Sequence, residues 1–238
     1  MKTYKYLITE DFQQVGSRLG SNVGGKYTSN GEHYYIKFPK NPDQAKTEVL
    51  TGKIQKLMGI NTLEPEHKII GGKHAVVTKW VNDMDKLTHH NSYDLSHDQN
   101  REIGKIFAAG VLTKNWDAVG TGLNYGSGNI DIHRSGKIYN IDPGGSFEFR
   151  AQGAHKDYTP DVNEIHTLRN PSMNLESASI FNTAFTNTPD AIQHGVNAVK
   201  NLDDDKVKEV FANSGLSNWE ELHQTFKSRK EQFLNHFK

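Results

Sequence analysis

The segment that decides the fold runs from Asn115 to Gly145 and reads NWDAVGTGLNYGSGNIDIHRSGKIYNIDPGG. Near its end, residues 129–133 and 137–142 form two short runs of β-type residues, separated by the turn triplet Arg-Ser-Gly. This pattern predicts a β-hairpin. Because strand pairing fixes which residues face each other, we expect the hairpin to bring Asn129 at one end close to Asp142 at the other.

Asn129 and Asp142 together offer an amide oxygen and a carboxylate. Such oxygen ligands are what Mg²⁺ prefers when it also holds phosphate groups. Asp117 lies on the loop before the hairpin, where a further carboxylate can meet the hydroxyl group of a substrate. The segment therefore predicts a phosphotransferase site with Asn129 and Asp142 as metal ligands and Asp117 as the catalytic residue. Asp131 stays open as a second metal ligand, because strand alternation places it on the same face as Asn129.

The order of these residues resembles the catalytic loop, metal-binding hairpin and metal aspartate of the protein-kinase-like fold. Asp142 follows Asn129 by 13 residues, which matches the usual interval in that family. In place of the family's His-Arg-Asp and Asp-Phe-Gly, this chain has Asn-Trp-Asp and Asp-Pro-Gly. It is therefore more similar to the atypical branches, namely the phosphatidylinositol 3- and 4-kinases and the HipA-type bacterial toxin kinases. It also resembles compact kinase-like domains of bacterial effectors and phage-associated reading frames.

The interval between the catalytic aspartate and the metal asparagine departs from the protein-kinase pattern. Asn129 follows Asp117 by 12 residues, which is longer than the protein-kinase catalytic loop. Asn124 follows Asp117 by 7 residues and is closer to the usual interval. Asn129 is preferred for its place in the hairpin, and Asn124 remains the alternative metal ligand.

The resemblance implies an α+β protein with a bilobal, protein-kinase-like fold. The small, β-rich N-lobe is expected at residues 1–81 and the mainly helical C-lobe at residues 82–238. Helical patterns from Leu175 to the end of the chain fit this C-lobe. The resemblance also implies ATP as the phosphate donor, bound together with Mg²⁺ or Mn²⁺.

A glycine-rich stretch runs from Gly20 to Gly25 between two β-type runs. Glycines let backbone N–H groups approach a phosphate, because no Cβ is in the way. The stretch lacks the Gly-Lys-Ser/Thr ending of a Walker A loop, and it resembles the glycine-rich loop of kinases. We expect Gly20, Ser21, Gly24 and Gly25 to form a turn that covers the phosphates of ATP.

Lys37 lies in the strand-like run of residues 33–38, where kinases carry the lysine that contacts the phosphates. The residues that follow, 44–58, have the apolar periodicity of a helix. Glu48 lies on this helix. The resemblance implies that Glu48 forms an ion pair with Lys37 and holds it in position.

A buried-strand pattern covers residues 74–81, where the resemblance places the hinge between the lobes. Backbone groups from about Lys79 to Val81 are then expected to bind adenine. A helical pattern follows at residues 99–113 and leads into the Asn-Trp-Asp motif. Within this motif, Trp116 is expected to be a core anchor, because large aromatic side chains usually contribute to cores.

Charge and composition limit the classes of partner. The chain has 238 residues, and its 28 Lys and Arg residues balance its 28 Asp and Glu residues, so we expect no nucleic acid as its main partner. No apolar run approaches the length of a membrane span, and no secretory signal peptide is visible. The absence of cysteine excludes disulfides, thiolate zinc sites and cysteine nucleophiles. The protein is expected in the cytoplasm, or delivered into a host or target cell without such a signal peptide.

These features predict an ATP- and metal-dependent kinase that phosphorylates Ser or Thr in a protein of a host or target cell, as a bacterial effector or toxin. Two alternatives stay open. The Asn-x-Asp motif also suits a kinase of a small molecule or lipid. The long loop between Asp117 and Asn129 suits a catalytically silent binding module. The oligomeric state is left open as well.

Overall fold

The computed structural model describes residues 12–19, 22–120 and 128–238. A β-rich part comes first in the chain, and a mainly helical part follows it. This arrangement confirms the predicted α+β class. No helix in the described part of the chain is both long enough and apolar enough to span a membrane.

Nine strands occur in the described residues and form two sheets. They are β1 (Gln13–Gln14), β2 (Val23–Ser29), β3 (Glu32–Phe38), β4 (Asn61–Thr62), β5 (Glu66–Ile70), β6 (Lys73–Lys79), β7 (Met84–Lys86), β8 (Ile130–His133) and β9 (Ile138–Asn140). The first sheet is antiparallel and has the order β1-β2-β3-β6-β5. Ile36 on β3 packs with Ala75 and Val77 on β6, and these residues form a small apolar core of their own.

The glycines expected in a turn lie partly in a strand. Gly24 and Gly25 are inside β2, and Gly24 pairs with Lys37 of β3. The prediction of a turn at these two glycines is therefore wrong. A side chain at Gly24 would clash with the backbone of β3, so close strand packing explains the glycine there. Gly20 and Ser21 lie outside the described residues.

The second sheet has the order β4-β9-β8-β7 and contains the predicted hairpin. β8 and β9 are antiparallel, and their register pairs Ile130 with Asn140. Just beyond this pair, the N–H of Ile141 donates to the carbonyl oxygen of Asn129 at 2.9 Å. The hairpin is confirmed, and Asn129 faces the residue directly before Asp142. β4 completes this sheet by pairing in parallel with β9.

Seven α-helices occur in the described residues. They are α1 (Pro42–Leu57), α2 (His97–Leu112), α3 (Glu164–Thr167), α4 (Leu175–Asn187), α5 (Ala191–Lys200), α6 (Asp204–Ala212) and α7 (Trp219–His236). The predicted helices are thus confirmed. α2 lies at the centre of the helical part and begins with a capping box between Ser96 and Gln99. Phe107 on its buried side packs edge to face against Phe181 of α4, with ring centroids 5.1 Å apart.

Helix α1 lies between the two parts of the molecule. Its residues Leu50 and Ile54 belong to the large apolar core around α2, and the helix also packs against β6 of the first sheet. Another side of α1 is polar and yet buried. Its buried residues at helical spacing are Gln44, Glu48, Thr51 and Gln55. We call this row the polar stripe of α1, and it faces the site described below.

Arg229 connects α7 to the rest of the helical part. Its side chain is completely buried. Nη2 of its guanidinium group donates to Oε2 of Glu164 at 2.5 Å. The other acceptors are the carbonyl oxygens of Val111, Leu112, Thr159 and Asp161. A guanidinium group has five N–H donors, so every donor of Arg229 is used. The C-terminal helix is therefore tied to the end of α2 and to the segment around α3.

We expect Arg229→Met to lower the free energy of unfolding by about 3–5 kcal/mol, because Glu164 would be left as a buried charge without its cation. Urea denaturation followed by circular dichroism measures the change. Arg101→Met is the matched control, since Arg101 pairs with Asp98 and Asp190 at the surface and exposed ion pairs contribute little. Equal losses in the two variants would contradict the role given to Arg229.

Candidate functional site

The candidate site is centred on the ammonium group of Lys37. This group lies 2.5 Å from Oε1 of Glu48 and 2.9 Å from Oδ1 of Asp142. Lys37 comes from β3, Glu48 comes from α1, and Asp142 follows β9, so three separate elements meet here. The ion pair predicted between Lys37 and Glu48 is present, and Asp142 joins it.

Lys37 and Glu48 are both buried, with 6% and 2% of their surfaces exposed. Burial by itself lowers the pKa of Lys37, but the carboxylates of Asp142 and Glu48 outweigh burial and raise this pKa above its ordinary value. Lys37 is therefore charged throughout the physiological pH range. Asp142 is more open, since 40% of its side chain is exposed. One side of its carboxylate is thus accessible to a ligand.

Two glycines after Asp142 let the acidic residues come close together. Gly144 donates its N–H to Oδ1 of Asp142 at 3.1 Å. A Cβ at Gly144 would lie 3.0 Å from this oxygen and 3.0 Å from Oε2 of Glu48. A Cβ at Gly145 would lie 3.1 Å from Cβ of Asp117. Larger residues at these positions would push the carboxylates apart, which accounts for the Asp-Pro-Gly-Gly sequence.

Asp117 is held by two asparagines. Its N–H donates to Oδ1 of Asn115 at 2.9 Å. Nδ2 of Asn129 donates to the carbonyl oxygen of Asp117 at 2.7 Å and to its carboxylate at 3.3 Å. Burial, and then the charge of Asp142, raises the pKa of Asp117 to about 6, while the hydrogen bond from Asn129 acts in the opposite direction. A carboxylate with a pKa near the working pH suits a general base.

The donor atoms of Asn129 and Asp142 fit a divalent cation such as Mg²⁺ or Mn²⁺. Nδ2 of Asn129 is committed to Asp117, which leaves Oδ1 as an acceptor. Oδ1 of Asp142 meets Lys37, which leaves the second carboxylate oxygen. Oxygen atoms are the ligands that both cations prefer. No group of three or more His, Cys, Asp or Glu residues suited to a metal occurs in the described part of the chain, so phosphate and water would supply the other ligands, as is usual for Mg²⁺.

The two alternative metal ligands are placed differently. Asn124 lies outside the described residues. Asp131 is nearly buried on β8 and pairs with Nζ of Lys86 at 2.9 Å. Because Lys86 lies on β7, this ion pair joins neighbouring strands of the second sheet. Asp131 thus already has a cation as its partner, and Asn129 remains the better candidate for a metal ligand.

A cavity of about 830 Å³ opens beside Asp117. Trp116 forms part of its wall, and 40% of the surface of this residue is exposed. The expectation that Trp116 is a core anchor is therefore wrong. Nδ2 of Asn174 donates to the carbonyl oxygen of Trp116 at 2.7 Å, which ties this loop to the start of α4. The cavity leaves room for a ligand to reach Asp117.

The residues expected to bind adenine lie at the end of β6. The N–H of Trp80 donates to the carbonyl oxygen of His33 on β3 at 2.9 Å. Lys79 is the last residue of β6, and its backbone groups point away from β3, because those of successive strand residues point to opposite sides. The side chain of Lys79 pairs with Glu32 at the protein surface. The binding of adenine by the backbone of Lys79 and Val81 stays a prediction.

Three features of the site were not predicted from the sequence. Asn115 is buried, and its side chain orients Asp117 by accepting a hydrogen bond from the backbone N–H of Asp117. Lys156 lines the same cavity as Asp117, although nothing in the sequence around it indicates a site. The polar stripe of α1 is the third feature, and here a partial signal was available, because its four residues recur at helical spacing.

A solved structure shares this architecture. The proinflammatory kinase CtkA of Helicobacter pylori is similar to this chain with a TM-score of 0.62 and 17% sequence identity, over 95% of this chain and 94% of that one. This chain has a kinase-like fold. No protein-family model and no curated protein sequence matches it. The predicted fold is confirmed, whereas closer kinship with HipA-type, phosphatidylinositol or compact effector kinases stays a prediction.

We expect Lys37→Met to lower the free energy of unfolding by about 3–5 kcal/mol, since it leaves Glu48 buried without a cation. The loss should grow as the pH rises above about 7, because burial already raises the pKa of Glu48 to about 7 in the wild type, and without the cation of Lys37 the carboxyl group keeps its proton to still higher pH. Urea denaturation at several pH values measures both effects.

The double variant Lys37→Met/Glu48→Gln is the matched control, because it removes both charges of the buried pair. It should recover most of the lost stability. A single variant as stable as the wild type, or a double variant that recovers nothing, would show that this ion pair is not what holds α1 against β3.

Proposed function

We propose that this protein is a phosphotransferase that uses ATP and a divalent metal ion. The observation that carries the proposal is the contact of Lys37 with both Glu48 and Asp142, within a kinase-like fold. The fixed ammonium group of Lys37 and the accessible carboxylate of Asp142 together suit the binding of a triphosphate with its metal ion. Asp117 lies close enough to Asp142 for the charge of one to act on the other, so a nucleophile-binding group stands beside the phosphate-binding groups.

The proposed ATP site uses groups on both sheets. Lys37, held by Glu48, contacts the α- and β-phosphates through charge-assisted hydrogen bonds. Gly24 and Gly25 lie on β2 beside Lys37 and belong, with Gly20 and Ser21, to the segment proposed to cover the phosphates. The backbone of Lys79 and Val81 takes the adenine. These last residues also mark the proposed boundary between an N-lobe of residues 1–81 and a C-lobe of residues 82–238.

Asn129 and Asp142 are the proposed ligands of Mg²⁺ or Mn²⁺. When bound, such an ion neutralises charge on the phosphate oxygens during transfer. Asp117 orients the hydroxyl group of the acceptor and takes its proton. Asn115 and Asn129 in turn hold Asp117. Positioning and electrostatic stabilisation then supply most of the rate enhancement, because phosphoryl transfer asks little covalent chemistry of the protein.

The proposed acceptor is a Ser or Thr hydroxyl group of a protein. The cavity beside Asp117 has exposed residues such as Trp116 and Arg150 in its wall, so a segment of another protein has access to it. CtkA is described as a proinflammatory kinase. By analogy, we propose that this chain acts as an effector or toxin on proteins of a host or target cell.

A small-molecule acceptor is the second candidate. The cavity of about 830 Å³ beside Asp117 falls within the range of small-ligand sites, roughly 300–1,000 Å³. A compound of that size could place its hydroxyl group against Asp117 without any contact to a protein partner. The chemical roles of the site residues are the same for both acceptors.

We expect Asp117→Asn to lower kcat by about 10²- to 10⁴-fold, the range that a general base supplies, with the affinity for ATP unchanged. Asp142→Asn should weaken the metal-dependent binding of ATP, because it removes a charged ligand. Transfer of labelled phosphate from ATP in the presence of Mg²⁺ or Mn²⁺ measures the first effect. Titration calorimetry with and without the metal measures the second.

Asp205→Asn is the matched control, because Asp205 is an exposed carboxylate in the first turn of α6. Label in protein supports the protein-kinase function, and label in a solvent-extractable product selects a small-molecule acceptor. The proposed function is wrong if no label is transferred to either and Asp142→Asn binds ATP with the metal as tightly as the wild type.

A further inference from the structure

Lys156 makes contacts unlike those of Lys37. Its ammonium group donates to the carbonyl oxygen of Lys114 at 2.5 Å and to that of Gly145 at 2.7 Å. An ammonium group has three N–H donors, and two of them serve these carbonyl groups. Lys37 contacts carboxylates, whereas Lys156 links two backbone segments by donating to a carbonyl group of each.

The two carbonyl groups belong to the two loops that carry the candidate site. Lys114 follows α2 and stands three residues before Asp117. Gly145 stands three residues after Asp142. The ammonium group of Lys156 thus lies between the loop that would bind the acceptor and the segment that would bind the metal ion. Any change in its contacts alters the position of one loop relative to the other.

Both loops contain a strained backbone residue. Lys114 has a φ of 53° and Phe147 has a φ of 54°, in the left-handed region that is unfavourable for residues with a Cβ. A second bond also joins the loops, because the N–H of Phe147 donates to the carbonyl oxygen of Thr113 at 2.6 Å. Strained conformations persist only where the surrounding contacts hold them. The contacts of Lys156 are among those available to do so.

Lys156 also lies on the acceptor side of Asp117. Both residues line the cavity of about 830 Å³, and the positive charge of Lys156 acts on the carboxyl group of Asp117. Gly145 is the point of contact between them, since a Cβ there would lie only 3.1 Å from Cβ of Asp117. If Gly145 moves, the surface against which Asp117 packs moves with it.

We propose that Lys156 is a positioning residue for phosphoryl transfer, and that its protonated amine fixes the loop of Asp117 relative to the segment that follows Asp142. This inference rests on the proposed function and adds to it a group assigned no contact with ATP or metal. A charged donor suits the task, because charge-assisted hydrogen bonds are about twice as strong as neutral ones. A misplacement of about 1 Å in a reacting group is enough to slow catalysis about 100-fold.

The environment of Lys156 makes this contact sensitive to pH. Burial lowers the pKa of Lys156 to about 7. The negative charge of Glu164 opposes this shift. The positive charges of Lys114, Arg150 and Arg229 also lower the pKa. Above this pH the amine loses its proton, and its hydrogen bonds lose the assistance of the charge. We therefore expect kcat/KM for ATP, which reports groups of the free enzyme, to fall on the alkaline side of about pH 7.

Stability should respond to pH in the opposite direction. Between about pH 7 and about pH 10, the unfolded chain keeps the lysine proton that the folded protein has released. The contribution of Lys156 to the free energy of unfolding therefore rises with pH over this range, while activity falls. A lysine with a purely structural role would not couple a gain in stability to a loss of activity.

Lys156→Met and Lys156→Arg test the proposal. Lys156→Met should lower kcat by about 10- to 100-fold, with the dissociation constant of ATP unchanged. Lys156→Arg keeps its charge at every working pH, so it should retain most of kcat and lose the alkaline fall. Hydrogen exchange at the amide of Phe147 should become faster in Lys156→Met, since the second bond between the loops is less well held.

Each outcome decides for or against the role of Lys156. Wild-type kcat and an unchanged pH profile in Lys156→Met overturn the proposal and leave the proposed function standing. If Lys156→Met does not fold, Lys156→Arg decides, and an alkaline fall retained in that variant overturns the proposal. If the wild type transfers no phosphate and Asp142→Asn binds ATP with the metal as tightly as the wild type, the proposed function fails instead. Hydrogen exchange at the amide of Phe147 is then the only test of whether Lys156 holds the two loops together. An unchanged exchange rate in Lys156→Met overturns the positioning role.

Discussion

A buried positive charge organises this molecule. The ammonium group of Lys37 is stable inside the protein only if carboxylates lie against it, and these come from Glu48 on α1 and Asp142 after β9. Glycines far apart in the chain make these contacts possible. Gly24 lets β2 approach the strand of Lys37 closely, and Gly144 leaves space between the two carboxylates. The residues proposed to act on ATP are thus also residues on which the architecture depends.

The parts of the site that could be predicted are those placed by local patterns. Lys37 lies within a strand and Glu48 lies on the next helix, and the resemblance to kinases, in which these two elements supply such a pair, implied their contact. Asn129 and Asp142 flank a hairpin whose turn is visible as Arg-Ser-Gly, and hairpin pairing alone puts its two ends together. The hairpin contact thus followed from the residues themselves, whereas the ion pair also needed the resemblance.

Other residues could not be placed in this way. Gly24 and Gly25 have the composition of a turn, but they lie in β2 because a neighbouring strand passes close to them. Trp116 has the size of a core residue, yet it lies partly exposed at the edge of the cavity. Lys156 binds backbone oxygens, which every segment of a protein offers, so no pattern of residue types indicates its partners. These placements depend on contacts between distant segments.

Helix α1 is largely enclosed, since 10 of its 16 residues are buried. Gln44 donates to the carbonyl oxygen of Ala151 and Gln55 donates to the side chain of Asn140, both at 3.3 Å. Protein kinases are controlled in part by moving the equivalent helix, but here an outward swing would leave these amides without partners and expose Leu50 to water. Displacement of this helix would therefore lower the stability of the protein.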